Sequence, residues 1–513
     1  MVAARYHLDR IAEQWESVTA DLVERHAVTR LWDLDHTLFQ DDPAEVSNRM
    51  GWLHTAATSR AAWPDLEADA AAIAAGSDHV VLMGMGGSSL FPEVLTTTFG
   101  SSDGYPQLHV IDSSDPAAVA RVSELAPVDR TFHVASSKSG STVETRSHLA
   151  HFWARSGDPA RFAVITDPGS ALGASARERG FRHVWENEPD IGGRYSALSL
   201  FGVAPAALID ADGLALLDAA DDVADALAPS EDDADFNVGL RLAAAIGAAH
   251  TAGRDKLTIL IDERVGSFGL WLEQLVAESL GKHGVGVVPI VGEPLDIALA
   301  HPEDRIFVVI GDVDGSADIV SAGHPTVLLT LEESTDLGSH VLLWEFAIAL
   351  VGRVLGINPF DQPDVEAAKI EARKLLDSAA PEQPPETPIE EALGSVRPGD
   401  YLAICAFVDP GSEAAERLSD VRAVLGRRLG VATMVGIGPR FLHSTGQLHK
   451  GGAHNAVFLQ VLSESTEDLA IPEQSFTFGQ LKAAQAAGDL AALRAAGQDR
   501  SYRVSLDTLL AQS

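Results

Sequence analysis

The stretch HVVLMGMGGSS (79–89) joins a short apolar run to a glycine-rich turn. A run of aliphatic residues this short, bounded by turn residues, is typical of a buried parallel strand. Gly84, Gly86 and Gly87 then let backbone N–H groups approach an anion where the next helix begins. The same order of strand, turn and helix returns at LHVID (108–112), TFHVASS (131–137) and RFAVITD (161–167). This alternation predicts an α/β fold with a doubly wound parallel sheet.

A second set of strands follows the first. The runs are LTILID (257–262), GVGVVPI (284–290), RIFVVIGD (305–312) and TVLLTL (326–331). The proline-rich stretch SAAPEQPPETP (378–388) indicates a linker, and further apolar runs beyond it indicate a smaller third unit. We therefore predict four parts: a helical cover (1–75), a first doubly wound domain (76–235), a second one (236–378), and a linker with a C-terminal α/β unit (379–513).

Composition narrows the functions open to the 513-residue chain. Its net charge of −37 argues against a nucleic-acid partner, because phosphate backbones demand basic surface. No run of about 18 apolar residues predicts a membrane span. The single cysteine, Cys405, and the lack of an apolar leader favour a reducing cytoplasm. Neither a metal nor a redox cofactor is expected, since the Asp/His clusters that a divalent metal needs are absent from the sequence.

The loop SKSGSTVET (137–145) is the strongest chemical signal in the sequence. Five hydroxyl side chains surround one glycine and Lys138, one of only 7 lysines in the chain. A plain helix cap needs one Ser or Thr, whereas five around a helix start form a cradle for a phosphate group.

Two further segments offer groups for proton transfer and charge stabilisation. Gln274 and Glu278 lie four residues apart, on one face of a predicted helix. Glu278 is the candidate base, and the alternative is a surface ion pair between Glu278 and Lys282. Arg194, after two glycines, can clamp a phosphate or an enediolate with its fixed fork of donors.

Five blocks, in this order, resemble the glucose-6-phosphate isomerase family: GMGGSS, SSKSGSTVET, GGRYSALS, EQLVAESLGK and NPFDQPDVEAAK. They span about 84–369. The later segment GPRFLHSTGQLHKGGAHN (438–455) resembles the isomerase half of bacterial transaldolase/glucose-6-phosphate isomerase fusions.

The resemblance implies two flavodoxin-like sugar-isomerase (SIS) domains and an aldose–ketose isomerase. The enzyme would interconvert glucose 6-phosphate and fructose 6-phosphate through an enediolate, as a homodimer with its site near the subunit boundary. Glu278 would be the base, Arg194 would stabilise the enediolate, and Lys369 would assist at the ring oxygen. The implied substrate-binding residues are Gly87, Ser88, Ser137, Lys138, Ser139, Thr142, Gln274 and Gln362. For the ring-opening histidine, His301, His443 and His449 remain candidates.

Two alternatives stay open at this point. One is a non-catalytic SIS-type module that only binds sugar phosphates, and the other is a dual phosphoglucose/phosphomannose isomerase. In either case we expect the site in one cleft between the two SIS domains, at the carboxyl ends of both sheets. We also expect a basic pocket there, formed by Lys138, Arg194, Lys369 and Lys450.

Overall fold

A computed structural model describes residues 2–364, 383–464 and 467–513. Lys369 lies outside the described residues, as does the start of the predicted linker. The strands, numbered along the chain, are β1 (Ala4–His7), β2 (His79–Met83), β3 (Gln107–Ile111), β4 (Thr131–Ser136), β5 (Phe162–Thr166), β6 (His183–Glu186), β7 (Lys256–Ile261), β8 (Val288–Val291), β9 (Arg305–Ile310), β10 (Thr326–Leu329), β11 (Tyr401–Phe407), β12 (Ala432–Ile437), β13 (Ala456–Leu462) and β14 (Ser501–Arg503).

The first sheet has the order β3-β2-β4-β5-β6, and all its strands are parallel. From β2 the chain moves to β3 on one side and then returns to β4 on the other. Two loops therefore diverge at the carboxyl ends of β2 and β4, which is where open α/β sheets bind ligands. All six residues of β4 are buried, because helices cover both faces of the sheet.

The second sheet has the order β1-β10-β9-β7-β8. Strands β7 to β10 are parallel, and β1 adds to the edge in antiparallel register, with Ala4 opposite Leu329. The N-terminal segment was expected to be a helical cover of the first domain, but it begins with a strand of the second sheet. The alternation in ARYH is too short to separate from a frayed helix end, so this segment carries no strand signal of its own.

A third sheet, in the order β12-β11-β13-β14, is wholly parallel and carries its own apolar core. This C-terminal unit contacts both larger domains. Phe478 and Leu481 join the core around Val81 and Met83, whereas Phe458 packs in a cluster with Ala277. The doubly wound α/β class is confirmed. The four-part division at 75, 235 and 378 remains a proposal.

Helices fill the layers between and around the sheets. The α-helices are Ala12–Glu24, Ala27–Trp32, Thr55–Ala74, Leu90–Phe99, Pro116–Leu125, Val143–Ser156, Ala171–Arg179, Leu200–Leu208, Gly213–Leu227, Asp233–Phe236, Val238–Thr251, Phe268–Leu280, Leu295–Ala300, Ser316–Ser321, Leu337–Leu355, Ile389–Leu393, Glu413–Leu429, Gly446–Gly451, Phe478–Ala495 and Leu506–Leu510.

One helical segment among the described residues, Ser334–Leu355, is long and apolar enough to cross a membrane by length and composition alone. The segment is not an unbroken apolar run, because Asp336, His340, Glu345 and Arg353 interrupt it. Of its most apolar window, 89% is buried inside the protein, which is typical of a core helix.

Candidate active site

A cavity of about 390 Å³ opens where the first sheet, the helix Phe268–Leu280 and the C-terminal unit meet. It brings together most of the residues singled out from the sequence. Those lining it are Gly87, Ser88, Ser137, Lys138, Ser139, Thr142, Arg194, Gln274, Glu278, Gln362 and His443.

The hydroxyl-rich loop forms one wall of the cavity. It follows β4, and Thr142 precedes the first turn of the helix Val143–Ser156. Ser137 Oγ accepts a hydrogen bond from the Gly140 N–H at 3.2 Å and lies 3.3 Å from Thr142 Oγ1. Gly140 has φ +67°, and a Cβ there would fall 2.7 Å from Leu172 Cβ. Glycine thus allows the tight turn that gathers the hydroxyls at the positive end of a helix.

The loop that carries Gly87 follows β2 and packs against the loop that carries Arg194. A Cβ on Gly87 would lie only 1.8 Å from the carbonyl oxygen of Gly193. The absence of a side chain therefore lets the loop after β2 touch the loop that carries Arg194.

The opposite wall holds Glu278, whose side chain is buried. Gln274 Nε2 donates to Glu278 Oε2 at 3.0 Å and to the His443 carbonyl at 2.9 Å. Arg194 Nη1 lies 3.5 Å from Glu278 Oε1. The carboxylate is thus held in place by an amide and a guanidinium while it faces the cavity.

The alternative role for Glu278, a surface pair with Lys282, is wrong. Lys282 is fully buried, and its ammonium donates to the Asn358 carbonyl at 2.5 Å, the Asp361 carbonyl at 2.7 Å and the Asp361 carboxylate at 2.8 Å. Burial, together with repulsion from Arg194, lowers the pKa of Lys282 to about 7. The helix ends at Leu280 and Gly281 has left the helical conformation, so Lys282 does not continue the helix face that carries Glu278.

Among the three candidate histidines, only His443 reaches the cavity. It follows β12 in the C-terminal unit, and its Nε2 lies 2.9 Å from Glu144 Oε1. Gln485 Nε2 also donates to that oxygen, at 2.6 Å. Burial alone would raise the pKa of Glu144, but the His443 charge and hydrogen bond outweigh it, so the pKa lies below its usual range.

The other two histidines lie elsewhere. His301 packs against Gly430 at the outer edge of the C-terminal unit. His449 is buried between Phe441 and Phe458, and burial lowers its pKa to about 3.

The position of the cavity differs from expectation in one respect. It lies at the carboxyl end of the first sheet, but at the amino end of the second. The helix Phe268–Leu280 follows β7 and runs back along the sheet before β8 begins, so Glu278, close to its last residue, lies beside the start of β8. The expectation overlooked that a crossover helix returns the chain to the opposite edge.

Three charged lining residues had not been singled out from the sequence: Glu45, Arg49 and Asp167. Lys138 Nζ pairs with the Asp167 carboxylate and donates to the Pro189 carbonyl at 2.8 Å. The pKa of Asp167 is raised by burial despite this contact. Asp167 pairs with Lys138 on a different segment, and the i,i+4 spacing of Glu45 and Arg49 is too common to mark a site.

The expected contribution of Lys450 to a basic pocket is wrong. Its ammonium is buried and pairs with Asp489 at 2.7 Å, inside the C-terminal unit. Across the three described ranges, no group of three or more His, Cys, Asp or Glu side chains is placed to hold a metal ion.

Comparisons with known proteins bear on the fold and the family. The phosphoglucose isomerase family model matches residues 69–288. A hypothetical protein from Thermus thermophilus superposes with a TM-score of 0.61 at 26% identity, covering 73% of this chain and 100% of that one. A glucose-6-phosphate isomerase from Chlamydia trachomatis gives a TM-score of 0.58 at 20% identity, over 71% of this chain and 86% of that one.

Both solved structures share the fold of this chain, so it belongs to the class of α/β proteins with paired doubly wound sheets. The sequence relatives identify the family. A glucose-6-phosphate isomerase of Thermus thermophilus is 31% identical over 363 residues, which is 58% of this chain and 84% of the relative. A probable glucose-6-phosphate isomerase of Methanococcus maripaludis is 27% identical over 350 residues, covering 58% and 78%. The chain belongs to the glucose-6-phosphate isomerase family.

Proposed function

We propose that the cavity interconverts glucose 6-phosphate and fructose 6-phosphate, with Glu278 moving the proton between C1 and C2. The observation that carries this proposal is the placement of Glu278. It is a buried carboxylate, oriented by Gln274 and next to Arg194, and it shares one cavity with the hydroxyl-rich loop. A module that only binds sugar phosphate needs the loop but has no use for this carboxylate–guanidinium pair.

The residues on the different walls would have different roles in the reaction. Ser137, Ser139 and Thr142 would hold the phosphate at the start of the helix Val143–Ser156, and Gly87, Ser88 and Gln362 would line the sugar. Glu278 would take the C2 proton of the open-chain aldose and return it to C1. Arg194 would stabilise the oxyanion that develops on the enediolate, since a fixed cation costs no reorganisation as the charge forms.

His443 is our candidate for ring opening. Its Nε2 lies 2.9 Å from Glu144 Oε1, a contact that orients the ring, and an imidazole on the cavity wall can pass a proton to the ring oxygen. The Gln274 contact to the His443 carbonyl ties the same residue to the base. We propose that Lys369, which lies outside the described residues, assists at the ring oxygen.

The test is Glu278→Gln, assayed for isomerisation in both directions and for exchange of the C2 proton with solvent. The amide keeps the shape but cannot take a proton, so turnover should fall by about 10²–10⁴-fold while fructose 6-phosphate still binds. Glu273→Gln is the matched control: its carboxyl lies on the same helix but lines a separate, smaller cavity. Wild-type turnover in Glu278→Gln would refute the assignment of the base.

We also propose that the protein works as a homodimer in the cytoplasm. The family resemblance supports the dimer, and the single cysteine suits a reducing compartment. His443 comes from the same chain as Glu278, so dimerisation is not needed to supply a histidine. Sedimentation equilibrium, with activity followed down to the lowest concentration, would show whether an isolated subunit turns over substrate.

A further inference from the structure

Each Arg, Lys and His side chain that lines the cavity lies beside a carboxylate. The four pairs are Arg49–Glu45, Lys138–Asp167, Arg194–Glu278 and His443–Glu144. The two arginines and the lysine are thus each offset by a carboxylate, and the basic pocket expected from the sequence is not preformed among the described residues. A bound phosphate dianion gains from a full counter-charge, which one of these cations can supply if it exchanges its carboxylate for the ligand.

The pairs differ in how readily they open. The side chain of Glu45 is 50% exposed, whereas those of Asp167, Glu278 and Glu144 are 17%, 8% and 4% exposed. An exposed carboxylate regains water when its partner leaves, and such pairs contribute only about 0–1 kcal/mol. A buried carboxylate left alone is costly. Arg49 is thus the cation that can be released at the lowest cost.

We propose that Arg49 is the cation that binds the phosphate group of the substrate, in place of Lys138. This inference rests on the proposed function, because it assumes a phosphorylated ligand on the hydroxyl-rich loop. Lys138 instead acts as a structural cation that holds Asp167 and the Pro189 carbonyl.

The position of Arg49 suits this role. Arg49 lines the same cavity as Lys138 and Asp167, and a Cβ on Gly192 would lie 3.8 Å from Arg49 Cδ. The flanking backbone is fixed on both sides: the Glu45 carbonyl accepts from Asn358 Nδ2 at 3.3 Å, and the Gly51 N–H donates to the Asp190 carbonyl at 3.0 Å.

The guanidinium itself is only partly engaged. Nη2 contacts Glu45 at 3.0 and 3.2 Å, and Nη1 donates to the Asn48 carbonyl at 3.0 Å. Both of these partners belong to its own segment, so the side chain can turn toward the loop without breaking a contact between domains. Its fork geometry then matches two phosphate oxygens.

The geometry also predicts an opposite effect at Glu45. This carboxylate competes with the phosphate for Arg49 and repels the dianion. Removing its charge should therefore tighten phosphate binding, whereas removing Arg49 should weaken it.

The experiment measures binding of inorganic phosphate and of fructose 6-phosphate by calorimetry, in the full chain, together with steady-state kinetics. Arg49→Met should weaken both affinities about 10–100-fold and raise KM with kcat nearly unchanged, as expected for lost charge-assisted hydrogen bonds. Arg49→Lys should restore part of the lost affinity.

Glu45→Gln should tighten phosphate binding by up to about fivefold. Arg60→Met, which removes a surface arginine paired with Asp218 and Asp221, is the matched control and should change neither.

Unchanged affinities in Arg49→Met would overturn the inference. The inference would also be overturned if Lys138→Met folds and loses phosphate affinity while Arg49→Met does not. If the wild type shows no isomerisation, yet Arg49→Met loses phosphate affinity, the inference stands and the proposed function falls.

Discussion

One helix begins at the cavity and another ends there, and the side chains around these two helix ends differ in charge. The helix Val143–Ser156 begins there, and uncharged hydroxyls such as Ser139 and Thr142 surround its first turn. The helix Phe268–Leu280 ends there, and the buried cations Arg194 and Lys282 lie beside its last residues. A helix start favours anions and a helix end favours cations.

This difference assigns substrate binding to the helix start and proton transfer to the helix end. At the helix start the first-turn carboxylate, Glu144, is bound by His443 and Gln485, and the side lined by hydroxyls is left to the ligand. At the helix end it supplies the favourable charges itself and thereby fixes Glu278. Changes at the first end should therefore alter substrate affinity, and changes at the second should alter turnover.

The largest effect within this comparison is expected at Arg194. In Arg194→Lys the charge remains, but the fork that contacts Ser279, the Pro359 carbonyl and Glu278 is lost. We expect kcat to fall by about 10²–10³-fold, the usual cost of losing one oxyanion-stabilising donor, with KM within a few-fold of wild type. Initial rates in a coupled assay measure both. A raised KM with normal kcat would contradict the assignment of catalysis to the helix end and of binding to the helix start.

The second prediction uses pH to probe the charges at the helix end. The folded pKa of Lys282 is about 7 against an ordinary value of 10.5, so above pH 7 the unfolded chain binds more protons than the folded one. The free energy of unfolding of wild type, relative to Lys282→Met, should thus rise between about pH 7 and 10, by up to about 1.4 kcal/mol per pH unit.

Urea unfolding of both proteins at pH 6, 8 and 9 measures this difference. Asp361, Arg194 and Glu278 are the charged groups that act on Lys282, and they are present in both proteins. A difference that stays flat with pH would mean that Lys282 keeps its proton throughout.

The smallest effect is expected at the helix start. Ser139→Ala removes one neutral donor from the phosphate loop, so KM should rise about 2–12-fold while kcat holds, as the loss of a hydrogen bond worth about 0.5–1.5 kcal/mol implies. Ser141→Ala is a matched control, since Ser141 contacts Ser139 at 2.8 Å but does not line the cavity. A fall in kcat in Ser139→Ala would show that the loop contributes to chemistry as well.

Local chemistry explains which parts of the site could be predicted from the sequence. The phosphate loop concentrates its hydroxyls within a few residues, and Gln274 and Glu278 share one helix face, so both can be recognised without a fold. The buried strands β2, β4 and β5 were likewise apolar enough to identify. The strands β6 and β14 escaped notice because they are short and only partly buried.

The rest of the site depends on contacts that no local pattern encodes. Which histidine reaches the cavity was settled by the packing of the C-terminal unit, which puts His443 beside Glu144, 299 residues earlier in the chain. Arg49 could not be predicted as a site residue, because its segment has no regular sequence pattern. The ion pair of Lys138 could not be predicted either, because its partner Asp167 follows a different strand. Most of the few lysines that the structure describes are buried and have a structural role, namely Lys256, Lys282, Lys450 and Lys482.

The edge strand β1 also has a consequence for synthesis. The Ala3 N–H bonds to Thr330 Oγ1, 327 residues further on. At translation rates of about 5–20 residues per second, residues 3–7 wait roughly a quarter of a minute to a minute before their partner strand is made. During that time β1 has no partner strand, and the second sheet gains this edge only after β10 has been made. Residues 3–7 are thus synthesised well before the strand that fixes their place.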